Sequence, residues 1–224
     1  MNYKEAKKII LSFDLDNTLI NNRLGIVASF NYALNKYNLP ELEASIIESM
    51  IGIPLNEMFV QTTNQNPSKL VIAFREYYRK KGIFQANLLP GITSKLDELK
   101  EQKFIMGIIT SKKQELALEI VEILNIQKYF DYILGETEKT KELGKLDPSL
   151  KKYLNNKYSG YKIIVIGDHP KDAMLSNNLN CPFIGVLTGN HSANQLREIK
   201  DGKIKIINSV SNLDINLIYS LIKK

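Results

Sequence analysis

The 224-residue sequence has one cysteine, two histidines and no tryptophan. A single thiol, Cys181, cannot close an intramolecular disulfide or build a thiolate-rich zinc site, and it suits a reducing, cytoplasmic setting. With only His169 and His191, histidine-dominated metal centres are disfavoured too. No stretch approaches the roughly 18 apolar residues that a membrane span needs. The first hydrophobic run, IILSFDLD, is broken by Asp14 and Asp16, so the start reads as neither signal peptide nor anchor and no membrane partner is expected. A block of basic residues is missing as well. Lys and Arg outnumber Asp and Glu by 30 to 24, a formal +6, but the lysines are scattered in pairs such as Lys7/Lys8, Lys80/Lys81, Lys112/Lys113 and Lys223/Lys224. Without clusters or interleaved aromatic platforms, this surplus implies solubility and some attraction for small anions, not a nucleic-acid partner.

What is present is an ordinary globular composition, 44% hydrophobic and 24% charged. A chain of this length hides roughly 70–75% of its unfolded surface, so its core needs no covalent staples. Short β-rich runs alternate with helical ones, the mark of an α/β fold with a parallel sheet, here a Rossmann-like sandwich. The predicted strands are 9–13, 104–109, 132–134, 162–167, 182–187 and 203–207. Between them, apolar residues recur at helical steps: Leu96/Leu99, Leu116/Ile120/Ile123/Leu124, Met174/Leu175/Leu179 and Leu213/Leu217/Leu221. The interval 21–88 departs from this pattern and reads as about four helices. One stripe is Leu24/Val27/Phe30/Leu34/Tyr37 and another is Leu70/Phe74/Tyr77/Tyr78, with Pro40, Pro54 and Pro67 each placed as a first-turn proline. The expected organisation is therefore a sandwich over 1–20 and 89–224, with an all-helical insertion over 21–88.

Chemistry gathers at the ends of the predicted strands. In FDLDNTLI, Asp14 and Asp16 stand two residues apart, and alternate residues of a strand point the same way. Both can face one pocket at the carboxyl edge, where open parallel sheets bind ligands. In IGDHPKD, Asp168 and Asp172 follow another strand. Asp168 has two readings, a cap for the helix beyond it or part of an acidic cluster. Carboxylates crowded at one edge repel each other, and a hard cation such as Mg2+ relieves that repulsion. Thr110 and Ser111 end the strand FIMGII close to a helix N-terminus, an anion-binding environment. Lys145, in GKLDPSL, precedes another helix and offers a point charge for phosphate oxygens.

The order Asp-x-Asp-x-Thr, strand-end Thr, Lys, Gly-Asp-x-x-x-Asp resembles the haloacid dehalogenase superfamily, and within it the phosphoglycolate phosphatase-like hydrolases with a helical cap. The likeness runs from about Ile9 to Leu213 and includes MIGIPLNEMF, LLPGITSKLDELKEQ and TGN…LREIKDGKIKIINSVSNL. It implies a Mg2+-dependent phosphatase of a small phosphorylated metabolite, such as phosphoglycolate, a nucleotide or a sugar phosphate, acting as a monomer or small homo-oligomer. A phosphosugar isomerase of the β-phosphoglucomutase type and a non-catalytic binding protein share the scaffold. By similarity, Asp14 is the nucleophile and Asp16 the general acid/base, protonated through crowding by Asp14 and Asp168. Thr110 and Lys145 hold phosphate, helped by Ser111 and the backbone of Asn17 and Thr18. The metal lies among Asp14, the Asp16 carbonyl and Asp168, with Asp172 behind it or beside Lys145.

The sequence departs from the family pattern at three places. Asn17 replaces a glycine, Ser111 replaces a frequent asparagine, and Lys-Leu-Asp-Pro replaces Lys-Pro-x-Pro around Lys145, which is expected to loosen that loop. His169 is either a contact to substrate or metal water, or a plain loop residue. Arg23, Arg75 and Arg79 are cap candidates for an anionic tail, or solvated surface.

Overall fold

Strand β1 (Ile9–Phe13) is buried along its whole length, as a central parallel strand covered on both faces must be. The computed structural model describes residues 8–139 and 144–223. Five further strands complete one parallel sheet: β2 (Ile105–Lys113), β3 (Tyr132–Glu136), β4 (Lys162–Gly167), β5 (Phe183–Val186) and β6 (Ile204–Ile207). Their order is β3-β2-β1-β4-β5-β6. β1 therefore has β2 on one side and β4 on the other, with Leu11 opposite both Met106 and Ile164. The chain builds outward from β1 through β2 and β3, then returns to add β4 on the far side. That reversal opens a crevice at the carboxyl ends of β1 and β4, where a doubly wound sheet binds its ligands.

Residues up to Ile20 and from Leu88 onward form one compact unit, and Asn21–Asn87 form a second. The second unit holds helices α1 (Arg23–Lys36), α2 (Ala44–Ser49), α3 (Leu55–Thr62) and α4 (Pro67–Lys80). In the α/β unit, α5 (Ile92–Glu101) precedes β2, α6 (Gln114–Ile123) joins β2 to β3, and α7 (Pro148–Lys157) precedes β4. Helices α8 (Pro170–Asn178) and α9 (Ala193–Ile199) connect the remaining strands, and α10 (Ile215–Ile222) follows β6. The sheet core includes Ile10, Leu11, Phe13, Ile108, Ile164, Ile166, Phe183 and Ile184, each with none of its surface exposed. Full burial of such side chains stabilises by about 1.5–3 kcal/mol each.

Four expectations change. The stripe proposed for α1 is rotated: Leu24 is exposed, and the buried face is Gly25, Ser29, Phe30, Ala33 and Leu34. Small residues win there because the turn at Gly82 crosses α1 so closely that a Cβ on Gly25 would lie 2.1 Å from the Gly82 carbonyl oxygen. Pro40 opens no helix. The chain around it is irregular, and the Asn31 side chain grips Leu42 through both its backbone groups, each at 3.0 Å. Pro54 is the N-cap residue of α3, not part of its first turn. Finally, the interval read as purely helical is bounded by strands of two residues, Ile20–Asn21 and Asn87–Leu88, paired as a ribbon. Two residues are too few to show a period-two pattern.

Candidate active site

Asp14 follows β1 and stays anchored to the sheet, its N–H donating to the Ile166 carbonyl at 2.8 Å. Its side chain is buried. Asn17 adopts a φ of 54°, the left-handed conformation that asparagine tolerates best after glycine. Its N–H donates to Ile20 O at 2.8 Å, closing a turn. That turn delivers Thr18 to the end of β4, where its hydroxyl donates to Asp168 Oδ1 at 3.1 Å. From the loop after β5, the Thr188 hydroxyl donates to the Asn17 carbonyl. Three strand ends are thus tied by hydrogen bonds.

Asp168 does not cap α8; His169 does. Its Nδ1 accepts from the Lys171 N–H at 3.1 Å, while its own N–H donates to Asp172 Oδ2 at 3.1 Å, a reciprocal box at the helix start. An accepting Nδ1 requires the neutral imidazole. Burial, then His191 and Lys145, push the His169 pKa down to about 3, which keeps it neutral. The ring lies edge-on to His191, centroids 4.5 Å apart. His169 is therefore neither a plain loop residue nor, through Nδ1, a substrate contact. Two glycines make room for the carboxylates. A Cβ on Gly167 would sit 2.3 Å from the Asp172 carboxylate, and one on Gly189 would sit 1.8 Å from Asp168 Oδ2.

Lys145 comes from a 3-10 turn, Gly144–Leu146, ahead of α7. Its ammonium, 3% exposed, lies 2.5 Å from Asp14 Oδ1 and 2.6 Å from Asp172 Oδ1. Burial alone would lower its pKa, but Asp14 and Asp172 raise it well above the usual lysine range. The expected loosening around Lys-Leu-Asp-Pro is not what this lysine shows. Asp147 caps α7 by accepting from Ser149 N–H at 2.8 Å, and Pro148 takes the first helical position. A capped helix start compensates for the missing proline.

Asp14, Asp168 and Asp172 each bring a carboxylate oxygen to within 4.8 Å of the others. Three carboxylates against one ammonium leave a formal charge of −2. Burial, and after it the charges of Asp14 and Asp172, raise the Asp168 pKa well above the ordinary carboxylate range. Burial likewise raises Asp172, against the pull of Lys145. Hard oxygen donors carrying two uncompensated negative charges fit a divalent cation. Both Asp172 oxygens already accept protein N–H groups, which sets it behind the cluster, beside Lys145.

The strand expected to stop at Thr110 instead runs on to Lys113. Thr110 is buried and its hydroxyl oxygen accepts from the Lys112 N–H at 3.2 Å, leaving its own proton to donate. Ser111 is exposed. Lys112, two residues beyond Thr110, places its ammonium 3.2 Å from Asp16 Oδ2. The Asp16 pKa is raised, first by burial, opposed by Lys112 and reinforced by Asp14. Of the two carboxylates expected to crowd Asp16, Asp14 does raise its pKa, with burial the larger cause. In the sequence, Lys112 reads as half of a scattered lysine pair, Lys112/Lys113. TSKK carries no local signal that separates Lys112 from Lys113, because the contact with Asp16 is long-range. In the helical unit, Arg23 lies 3.8 Å from Glu48, and Arg75 and Arg79 are exposed on α4.

Comparison with known proteins agrees with this geometry. A family model described as haloacid dehalogenase-like hydrolase matches residues 10–186. The chain is 27% identical over 197 residues to the probable phosphatase IndB of Dickeya dadantii, covering 85% of this chain and 86% of that protein. It is 26% identical over 200 residues to phosphoglycolate phosphatase of Mannheimia succiniciproducens, covering 80% of this chain and 86% of that one. Among solved structures, a predicted phosphatase from Clostridium acetobutylicum matches with a TM-score of 0.78 at 27% identity, over 95% of this chain and 97% of its own. Among the described residues, no helix is long and apolar enough to cross a membrane.

Proposed function

Since the chain belongs to the haloacid dehalogenase-like hydrolase family, we propose that it is a Mg2+-dependent phosphatase of a small phosphomonoester, working through a covalent intermediate on Asp14. The observation that carries this is the buried Asp14 carboxylate, held through Oδ1 by Lys145 at the reversal of the sheet. One oxygen is fixed by the ammonium, and the other is the nucleophile. It attacks phosphorus, an Asp14–phosphorus bond forms, and the bond to the leaving oxygen breaks as Asp16 delivers its proton there. Asp16, now a carboxylate, takes a proton from water as that water attacks phosphorus. The Asp14–phosphorus bond breaks, inorganic phosphate leaves, and both carboxyls return to their starting states.

Lys145 and the Thr110 hydroxyl hold phosphoryl oxygens through the displacement, with the backbone of Asn17 and Thr18 alongside and Ser111 at the rim. Mg2+, held by Asp14, Asp168 and the Asp16 carbonyl, would screen the anionic nucleophile from the anionic substrate. Asp172 keeps Lys145 charged and aimed. Phosphoglycolate, a nucleotide or a sugar phosphate would be such a small phosphomonoester substrate. A soluble metabolite as substrate, a cytoplasmic location and a monomeric or small homo-oligomeric state complete the reading.

The test is a panel of phosphomonoesters (phosphoglycolate, nucleoside monophosphates, sugar phosphates) assayed for released phosphate with and without Mg2+. Metal-dependent release from at least one is expected. Sugar phosphates interconverted without phosphate release would instead identify an isomerase, and no turnover of any kind would leave a binding protein.

A further inference from the structure

The β2–β3 ladder contains an irregularity that a nine-residue strand does not require. Ile109 faces Leu134, yet four residues later Lys113 faces Glu136, only two residues further along β3. Two extra residues of β2 are therefore bulged out, a device that re-aims side chains at sheet edges and beside active sites. The bulge is built, not merely tolerated. The Gln114 side chain pairs with β3 in place of backbone, its Nε2 donating to Ile133 O at 3.0 Å and its Oε1 accepting from Gly135 N–H at 2.6 Å. Gly135 is the residue such crowding admits: a Cβ there would meet the Lys112 carbonyl at 2.6 Å and Gln114 Cα at 2.7 Å. Within the bulge the Thr110 hydroxyl accepts from the Lys112 N–H. The result is a lysine side chain 9% exposed, delivered to Asp16 Oδ2 at 3.2 Å.

We propose that Lys112 is a positioning residue for Asp16, and that the bulge clipped by Gln114 exists to hold it there. An ammonium only donates, so the Asp16 oxygen it engages must accept. With Oδ2 committed to Lys112, the proton that Asp16 passes to the leaving oxygen is carried on Oδ1. The carboxyl is fixed in rotation, with its acidic face presented to the substrate. As the bond to phosphorus breaks, the proton moves from Oδ1 to the leaving oxygen, and the resulting carboxylate stays paired with Lys112. This inference rests on the reading of Asp16 as acid/base.

The leaving group provides the test. Protonation matters greatly for an alkyl phosphate, whose alkoxide is a poor leaving group, and little for p-nitrophenyl phosphate. In the full-length protein with Mg2+, Lys112→Met should lower kcat/KM for ethyl phosphate roughly 100-fold and for p-nitrophenyl phosphate less than about 10-fold, with KM nearly constant. Gln114→Leu should follow the same split more weakly, and Lys112→Arg should recover part of the loss. Equal losses on both esters, or a loss confined to KM, would make Lys112 a substrate-binding or structural residue and overturn the proposal. Asp16→Asn, run beside these variants, separates the two readings. If it spares ethyl phosphate, the acid/base assignment of Asp16 fails and this proposal falls with it. If it abolishes ethyl phosphate turnover while Lys112→Met does not, the positioning role alone fails.

Discussion

Two lysines reach the acidic residues, Lys145 from a turn and Lys112 from a strand, and their surroundings differ. Lys145 bridges two carboxylates, Asp14 and Asp172, from a short turn braced by a capped helix. Lys112 meets Asp16 from a bulge braced by a side-chain amide. The first offsets part of the charge of a three-carboxylate cluster that otherwise repels itself. The second pairs with Asp16, whose two oxygens then have different roles. Residue type alone does not distinguish them; the carboxylates they hold do, the cluster of Asp14 and Asp172 for one and Asp16 for the other. Losing Lys145 should harm every substrate and the fold as well, whereas losing Lys112 should harm chiefly reactions that need a proton delivered.

The largest effect is expected at Asp14, the carboxylate that Lys145 holds. Asp14→Asn should reduce turnover of every phosphomonoester by roughly 10^4-fold or more, with the circular dichroism spectrum unchanged; near-full activity would refute the nucleophile assignment. Next comes Lys145→Met, which strands Asp172 without its cation. Breaking a buried pair costs about 3–5 kcal/mol, so the denaturation midpoint should fall sharply. The kcat/KM for aryl and alkyl phosphates should drop together, roughly 100-fold or more. A leaving-group-dependent loss would erase the distinction from Lys112.

The acidic cluster also fixes a sign for pH. The raised Asp168 and Asp172 pKa values mean that the metal-free folded protein holds protons the unfolded chain releases once pH passes the ordinary carboxylate range, near 4. Their contribution to stability is therefore greatest at low pH and lost as pH rises through the folded-state values. A divalent cation removes the reason for those protons. The gap in Tm between Mg2+-loaded and chelator-treated protein should widen from about pH 5 to about pH 8. A gap that narrows over that range would contradict the cluster's assignment. The smallest effect is expected at His169, which acts on Asp172 only through the start of α8. His169→Ala should cost about 1 kcal/mol through the lost cap, and His169→Asn, which can also accept from the Lys171 N–H, should restore most of it in a thermal melt.

How much of this could be read in advance depends on the range of the interactions. β1 and β4 are legible to the residue because central parallel strands are continuous apolar runs, and the acidic pairs announce themselves by following such runs. The left-handed Asn17 is legible because few residues tolerate that conformation. The β2 bulge is not. It depends on Gln114 pairing with β3, some twenty residues further on, and nothing in FIMGIITSKK signals that the strand continues past Thr110. For the same reason Lys112 reads in the sequence as half of a scattered lysine pair, whereas Lys145 is legible from its place ahead of a helix. His169 was hidden by chemistry, since an imidazole nitrogen caps a helix as a hydroxyl does but is seldom used so. Leu24 fits the periodic stripe and is nonetheless exposed, because a stripe does not reveal which side a neighbouring backbone will approach.

The central claim is that phosphate passes through Asp14. Acid-quenching the enzyme during turnover of an alkyl phosphate and mapping the modified peptide by mass spectrometry tests it directly. One phosphoryl group on the peptide carrying FDLDNTLI, located on Asp14 and absent from Asp14→Asn, is the predicted result. A phosphoryl group on another residue, or steady turnover with none on this peptide, would contradict it.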